Sequence, residues 1–236
     1  MLPREDQPRQ IYRTRRRFRL VAGGRSGLAY WAVHQSLPTD SVEDPAMAMP
    51  LRRSGSLMTL DEWAALPEDN SYRYELQEGV LLVSPRPAPQ HQQVAYRLAR
   101  QLDEQLPNGW DFFLDVEVVV RAEHPPIVRV PDLVVTKVGA VGNRLVASDV
   151  QLAVEIMSPG SRNLDLHLKP CEYAEAGIPH YWLVDLDPPA PSITVFHLGA
   201  PGDGYVECPA KAGQLDTTVP FELRIDIPAL LAPRGA

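Results

Sequence analysis

Apolar residues recur along this chain with two different periods, and the places where the period changes mark its elements. Thr59-Leu60-Asp61-Glu62 has the form of a capping box, which opens a short helix that Pro67 closes. Tyr72 to Leu76 and Val80 to Val83 alternate about a Gln-Glu-Gly turn and predict a hairpin, ended by Ser84-Pro85-Arg86-Pro87-Ala88-Pro89. From Gln90 to Leu106 the period changes: His91, Val94, Leu98, Leu102 and Leu106 line one face of an amphipathic helix. Three strand-like runs follow, Phe112 to Arg121, Arg129 to Thr136 and Leu152 to Met157, with Val138 to Asp149 as a plain connection. Ser161 to Ala176 is helical in character but holds Pro170, which lacks an amide donor and predicts a kink or two abutting helices. Gly177 ends this stretch, and His180 to Asp185 is a buried strand. Hairpin material follows at Ile193 to His197, Tyr205 to Glu207 and Phe221 to Ile225. The order helix, three strands, helix, strand predicts an α/β fold on a mixed sheet, with a hairpin in front and strands behind.

A chain of 236 residues, 44% of them hydrophobic, can bury a substantial core. Two scattered cysteines, Cys171 and Cys208, offer neither a disulfide framework nor a zinc spacing, which suits a reducing, cytoplasmic setting. No run of about 18 apolar residues predicts a membrane span. Charge divides the chain. Residues 1–50 hold eight Arg against five acidic residues, leaving 15 basic against 25 acidic residues for the remainder. A nucleic-acid ligand would meet a repelling net field, so a local basic strip or bound cations must offset it. Thr14-Arg15-Arg16-Arg17-Phe18-Arg19-Leu20 resembles an export signal, but Arg25 interrupts the apolar stretch that should follow. Residues 1–55 therefore read as a disordered or over-extended leader, with Met47, Met49 and Met58 as other starting points, ahead of a domain over 56–232.

Carboxylates inside apolar strands draw attention because an unpaired buried charge is costly. Glu155 is the one polar residue in Leu152-Ala153-Val154-Glu155-Ile156-Met157, and a period of two puts it on the face of Ala153 and Met157. A structural ion pair and a metal ligand both satisfy that pattern. Asp132, after Pro131, suits a strand-end turn as well as a site. Asp165 and Lys169 are spaced as a helical ion pair, ordinarily a solvated face, yet their helix starts just beyond the Glu155 strand. His91 is either a hydrogen-bonded core histidine or a site residue. Glu75, sharing a face with Arg73 and Gln77, is by pattern a surface residue.

Taken together, Tyr74-Glu75-Leu76 with Gly79, Ser84-Pro85, His91, Pro131-Asp132, Val154 to Pro159, Asp165, Lys169, Tyr173, Gly177 and Tyr181 to Asp185 resemble the bacterial Uma-two family of endonucleases. That family lies within the PD-(D/E)XK restriction-endonuclease-like superfamily. The likeness runs from about Thr59 to Asp187, is looser to about residue 230, and leaves the leader uncovered.

The resemblance implies a restriction-endonuclease-like αβββαβ core that cuts phosphodiester bonds of DNA, with RNA as the other candidate polymer. It implies Asp132 and Glu155 as ligands of Mg²⁺, which Mn²⁺ can replace, with the Ile156 carbonyl as a backbone ligand. Glu75 and His91 become auxiliary residues. The superfamily lysine stands two residues after the glutamate, where this chain has Met157, and in the Uma-two pattern Lys169 from the next helix takes that place. Two readings compete with an active nuclease: a catalytically silent nuclease fold that binds nucleic acid, and an assembly protein whose sheet edge makes a homodimer.

Overall fold

In a computed structural model the described residues are 56–233, apart from 68, 70, 140–143 and 188. Residues 1–55, read above as a leader, lie outside them. Thr59 caps α1 (Leu60–Ala64), its hydroxyl taking the Glu62 amide while the Glu62 carboxylate takes the Thr59 amide. Met58, one of the candidate starts, belongs to the folded core: its side chain is buried beside Trp63, and its amide donates to the Gly79 carbonyl. The hairpin is β1 (Tyr72–Gln77) and β2 (Val80–Pro85), closed by Glu78 and Gly79 at φ 46° and 73°. Two successive left-handed residues make the turn whose twist suits a two-residue hairpin. A Cβ on Gly79 would lie 2.7 Å from that of Leu57, so glycine is needed for space as well.

The helix expected over 90–106 is α2 (Pro89–Asp103), with Pro89 in its first turn and Val94, Leu98 and Leu102 fully buried. The next two runs differ from expectation in the same way. Phe112 to Arg121 is two strands, β3 (Trp110–Leu114) and β4 (Val118–Arg121). Arg129 to Thr136 is likewise split, into β5 (Ile127–Arg129) and β6 (Leu133–Lys137). The reasons are local. Pro131 has no amide to give a ladder, and Asp115 takes φ 52°, outside strand geometry. The breaks coincide, since Val118 pairs with Arg129 and Leu114 with Leu133, setting 115–117 opposite 130–132. One long antiparallel ribbon therefore bends at this corner and passes from one sheet into another.

The connection expected over 138–149 also differs: it contains β7 (Leu145–Val146), parallel to β4, and a 3₁₀ turn over Ala147–Asp149. β8 (Val150–Ile156) and β9 (His180–Asp185) run parallel, joined by a helical crossover. In that crossover a π turn over Leu164–Leu168 precedes α3 (Lys169–Glu175). Pro170 has no N–H to return to the preceding turn, and the Lys169 amide reaches back five residues to Leu164. The expected interruption is therefore a local widening of the helix. β10 (Ser192–Leu198) and β11 (Tyr205–Ala212) extend the sheet, while β12 (Gln214–Thr217) and β13 (Leu223–Asp226) form a separate ribbon; β12 was not foreseen.

The larger sheet has the order β11-β10-β9-β8-β6-β3 and the smaller β2-β1-β5-β4-β7. The sequence α2, β3, β6, β8, α3, β9 is the predicted helix, three strands, helix, strand. One face of the larger sheet packs Leu133, Val135, Leu152, Val154 and Ile156 against α2 and the β12–β13 ribbon. The opposite face sets Val134, Ala153, Met157, Tyr181 and Leu183 against Tyr173 of α3. Glu155 lies on this second face, as its period of two requires.

Candidate active site

The corner between the sheets is where the polar residues gather. Asp132, which sits just before β6 rather than within it, follows the proline that ends β5. Register places it beside the end of β8, because Leu133 pairs with Val154. The Ile156 amide donates to Asp132 Oδ2 at 2.7 Å, and His91 Nε2 at the start of α2 lies 3.0 Å from the same oxygen. Arg73 Nη2 donates to Oδ1 at 2.8 Å, and also to the Val130 carbonyl. Met157 gives its amide to Val184 of β9, so Ile156 faces the opposite, Asp132 side. A strand residue presents its carbonyl on the edge where its amide emerges, which directs the Ile156 oxygen to the same place.

Glu155 is 1% exposed and held at both oxygens: Tyr173 donates to Oε1 at 2.7 Å and Lys169 Nζ is 2.9 Å from Oε2. Lys169 is also 2.9 Å from Asp165 Oδ1 and 3.9 Å from Glu75 Oε1. The pair that spacing alone would place on a solvated face is buried, Asp165 at 1% and Lys169 at 4% exposure. The π turn and the parallel crossover aim that helix face inward, and Tyr181 fixes the turn by donating to the Asp165 carbonyl. Lys169 approaches Asp165 Oδ1 without hydrogen-bond alignment, and Asp165 Oδ2 has no partner.

Glu75 departs from its surface reading. It is buried because the face of β1 that it shares with Arg73 turns onto Arg129 and Lys169 rather than onto solvent. Its carboxylate takes the Val130 amide at 3.1 Å and Arg129 Nη1 at 3.2 Å. Arg129 is fully buried and forks onto Glu172 at 2.7 and 2.8 Å. Sequence reasoning passed over Arg73, Tyr173 and Glu172 as functional groups. The alternation that joined Arg73 to Glu75 was the available signal, since both lie on the face of β1 turned to this cluster.

Electrostatics here are out of balance. Five carboxylates, Glu75, Asp132, Glu155, Asp165 and Glu172, meet three cations, Arg73, Arg129 and Lys169. Burial, with Asp132 and Asp165 close by, pushes the Glu155 carboxyl up to about 8 despite the Lys169 ammonium. Burial likewise raises Asp132, against Arg73, Lys169 and His91. Glu75 is the exception: burial acts to raise it, but Lys169, Arg129 and Arg73 together hold it below its ordinary value. Lys169 is raised, since Glu155, Glu75 and Asp165 outweigh the cost of burying an ammonium. Arg162 and Arg97, other cations of the domain, are engaged elsewhere, with Asp185 and Asp187 and with the Leu230 carbonyl.

Among the described residues no three His, Cys, Asp or Glu side chains form a ready-made metal cage. The candidate donors at the corner are nevertheless carboxylates and a backbone carbonyl with the single imidazole of His91 beside them, and the five buried carboxylates exceed the three cations by two if every group is ionised. Within that excess, Asp165 Oδ2 is buried without a hydrogen-bond partner. This fits magnesium, which is bound through one or two carboxylates and keeps its waters, better than it fits zinc.

Comparison with known proteins bears on the family and the fold. A crystal structure of a putative nuclease belonging to DUF820 from Anabaena variabilis superposes with a TM-score of 0.54 at 20% identity, covering 74% of this chain and 97% of that one. At that identity the likeness speaks for the fold. No curated protein matches the chain. The family model described as "Putative restriction endonuclease" matches residues 60–228, a span that holds every residue of the corner. On that match the chain belongs to the Uma2 family, the Uma-two family of putative restriction endonucleases.

Proposed function

We propose that this protein is a magnesium-dependent endodeoxyribonuclease of the PD-(D/E)XK type, acting on DNA in the cytoplasm. The observation that carries the reading is the convergence of Asp132, Glu155 and Lys169, from a strand break, a central strand and a crossover helix, in one acid-rich corner. Asp132 and Glu155 would hold the metal, with the Ile156 carbonyl beside them. Bound magnesium supplies polarisation of a phosphate oxygen and a water of lowered pKa.

The protein's own groups do the rest. Lys169 places an ammonium beside Glu155, where negative charge would build on the attacking water and the phosphate, and a preorganised cation in a dry site is worth far more than one in water. Glu75 and Asp165 hold that ammonium from the other sides. Tyr173 fixes the second oxygen of Glu155, and His91 with the Ile156 amide orients Asp132. Glu75 and His91 thus act through their neighbours, as auxiliary residues.

Plasmid DNA, linear DNA and RNA incubated with the purified chain in Mg²⁺, in Mn²⁺ and in chelator test the proposal. DNA nicking that needs the metal and is lost in Asp132→Asn is the expected result. Mg²⁺ should also raise the melting temperature of the wild type but not of Asp132→Asn. Metal binding without cleavage of any substrate would favour the silent, nucleic-acid-binding reading, and equal shifts in both proteins would remove the metal site.

A further inference from the structure

Arg73 and Asp115 are not needed to explain the chemistry above, yet Arg73 touches Asp132 directly and Asp115 adjoins it at the rim. Arg73 Nη2 lies 2.8 Å from Asp132 Oδ1 and 3.0 Å from Asp115 Oδ1, so one nitrogen serves two carboxylates. The two acids differ in setting. Asp132 is 4% exposed, while the Asp115 side chain is 36% exposed at the rim. Both occupy the coincident breaks where the ribbon passes between sheets, and Arg73 reaches them from β1. Its Nε is buried without a partner, and among the described residues the contacts given for the guanidinium, the one to the Val130 carbonyl included, are made through Nη2 rather than through a two-pronged fork.

We infer that Arg73 is a stand-in cation on Asp132 in the metal-free protein, and that Asp115 is the acceptor to which it moves when a divalent cation takes Asp132. The inference rests on the metal-site reading of Asp132. His91 and the Ile156 amide both occupy Asp132 Oδ2, so a metal must approach Oδ1, where the Arg73 guanidinium already stands and its positive charge opposes a second cation. The backbone amide is fixed in the strand. Arg73 is the partner with a second carboxylate already within reach. Its swing to Asp115 would keep a buried guanidinium paired, where an unpaired one would be expensive. Arg73 and Asp115 are thus positioning residues, which act on metal affinity through Asp132.

Mn²⁺ titration by calorimetry of the metal-free full chain tests this without any cleavage readout. Asp115→Asn removes the acceptor's charge while keeping a residue that tolerates the left-handed backbone at φ 52°. It should weaken Mn²⁺ binding by about tenfold, within the range of ordinary coupling between two sites. Arg73→Met should tighten binding, and in the double variant the effect of Asp115→Asn should vanish. Thermal melts identify any variant that fails to fold. Should Arg73→Met do so, Arg73→Lys takes its place and should also bind Mn²⁺ more tightly, because the lysine side chain ends short of the position of Arg73 Nη2 and holds Asp132 less closely. Wild-type affinity in Asp115→Asn, or weakened affinity in the Arg73 variant, overturns the inference alone. Absence of Mn²⁺ binding by the wild type overturns the metal-site reading and this inference with it.

Discussion

The two faces of β8 follow opposite rules. On one, Leu152, Val154 and Ile156 pack against α2 with no charge among them. On the other, Glu155 stands between Ala153 and Met157 and faces a buried lysine, a tyrosine and a second acid. The first face gains free energy from apolar area removed from water, roughly 25 cal/mol per Å². The second buries charges whose mutual attraction at best repays their lost hydration. A fold optimised only for stability would have two faces like the first. Keeping the second, in a chain of this family, supports the proposal that the site lies on that face.

The sharpest way to break the contrast is Lys169→Met. On the proposed role, the cleavage rate should fall by about 10²-fold or more under single-turnover conditions. Burial adds a consequence that spacing alone did not suggest, since the change strands Glu155 and Asp165 without their cation. Breaking a buried pair typically costs about 3–5 kcal/mol, and adding Glu155→Gln should recover part of that loss in a denaturant melt. Wild-type cleavage by Lys169→Met would remove the lysine from the mechanism.

Leu98→Ala probes the apolar face. It should cost about 2–5 kcal/mol through lost burial and the cavity left behind, with the Mg²⁺-induced rise in melting temperature unchanged. A lost metal response would mean that the two faces are coupled through α2 and His91.

Protonation separates the faces more gently. Glu155 is pushed up to about 8 from its ordinary 4.5, so the metal-free folded state holds this proton more tightly than the unfolded chain does. The resulting stabilisation is full below about pH 4.5 and is lost as the pH rises toward about 8. Melting temperature of the metal-free protein should therefore fall across that window, more steeply for wild type than for Glu155→Gln. Parallel profiles would show that the acid is comfortably ionised. The smallest effect is expected far from both faces: Thr59→Ala removes one half of the capping box and should cost about 1 kcal/mol with cleavage intact.

How much of this was legible depended on range. The α1 capping box, the hairpin with its tight turn, the buried stripe of α2 and the interruption at Pro170 were all readable, because each is decided by residues a few positions apart. The strand breaks at Asp115 and Pro131 carried only half a signal. Pro131 announces a gap in pairing, but nothing local says that the gap faces another one across the ribbon. Glu75 was misread for the same reason: alternation tells which residues share a face, not what covers it.

The candidate site divides along that line. Asp132, Glu155 and Lys169 were named from pattern and family likeness, and the face of Glu155 followed from a period of two. Their convergence was decided by the parallel crossover from β8 to β9, which turns the helix face bearing Lys169 onto Glu155. The sequence by itself determined which elements form and which residues resist burial, since propensity, capping and periodicity act over a few residues. Only the tertiary structure decided that five carboxylates and three cations share one corner, and that Arg73 stands between Asp115 and Asp132. Charge interactions and desolvation depend on distance in space and on what excludes water, and neither is written in local spacing.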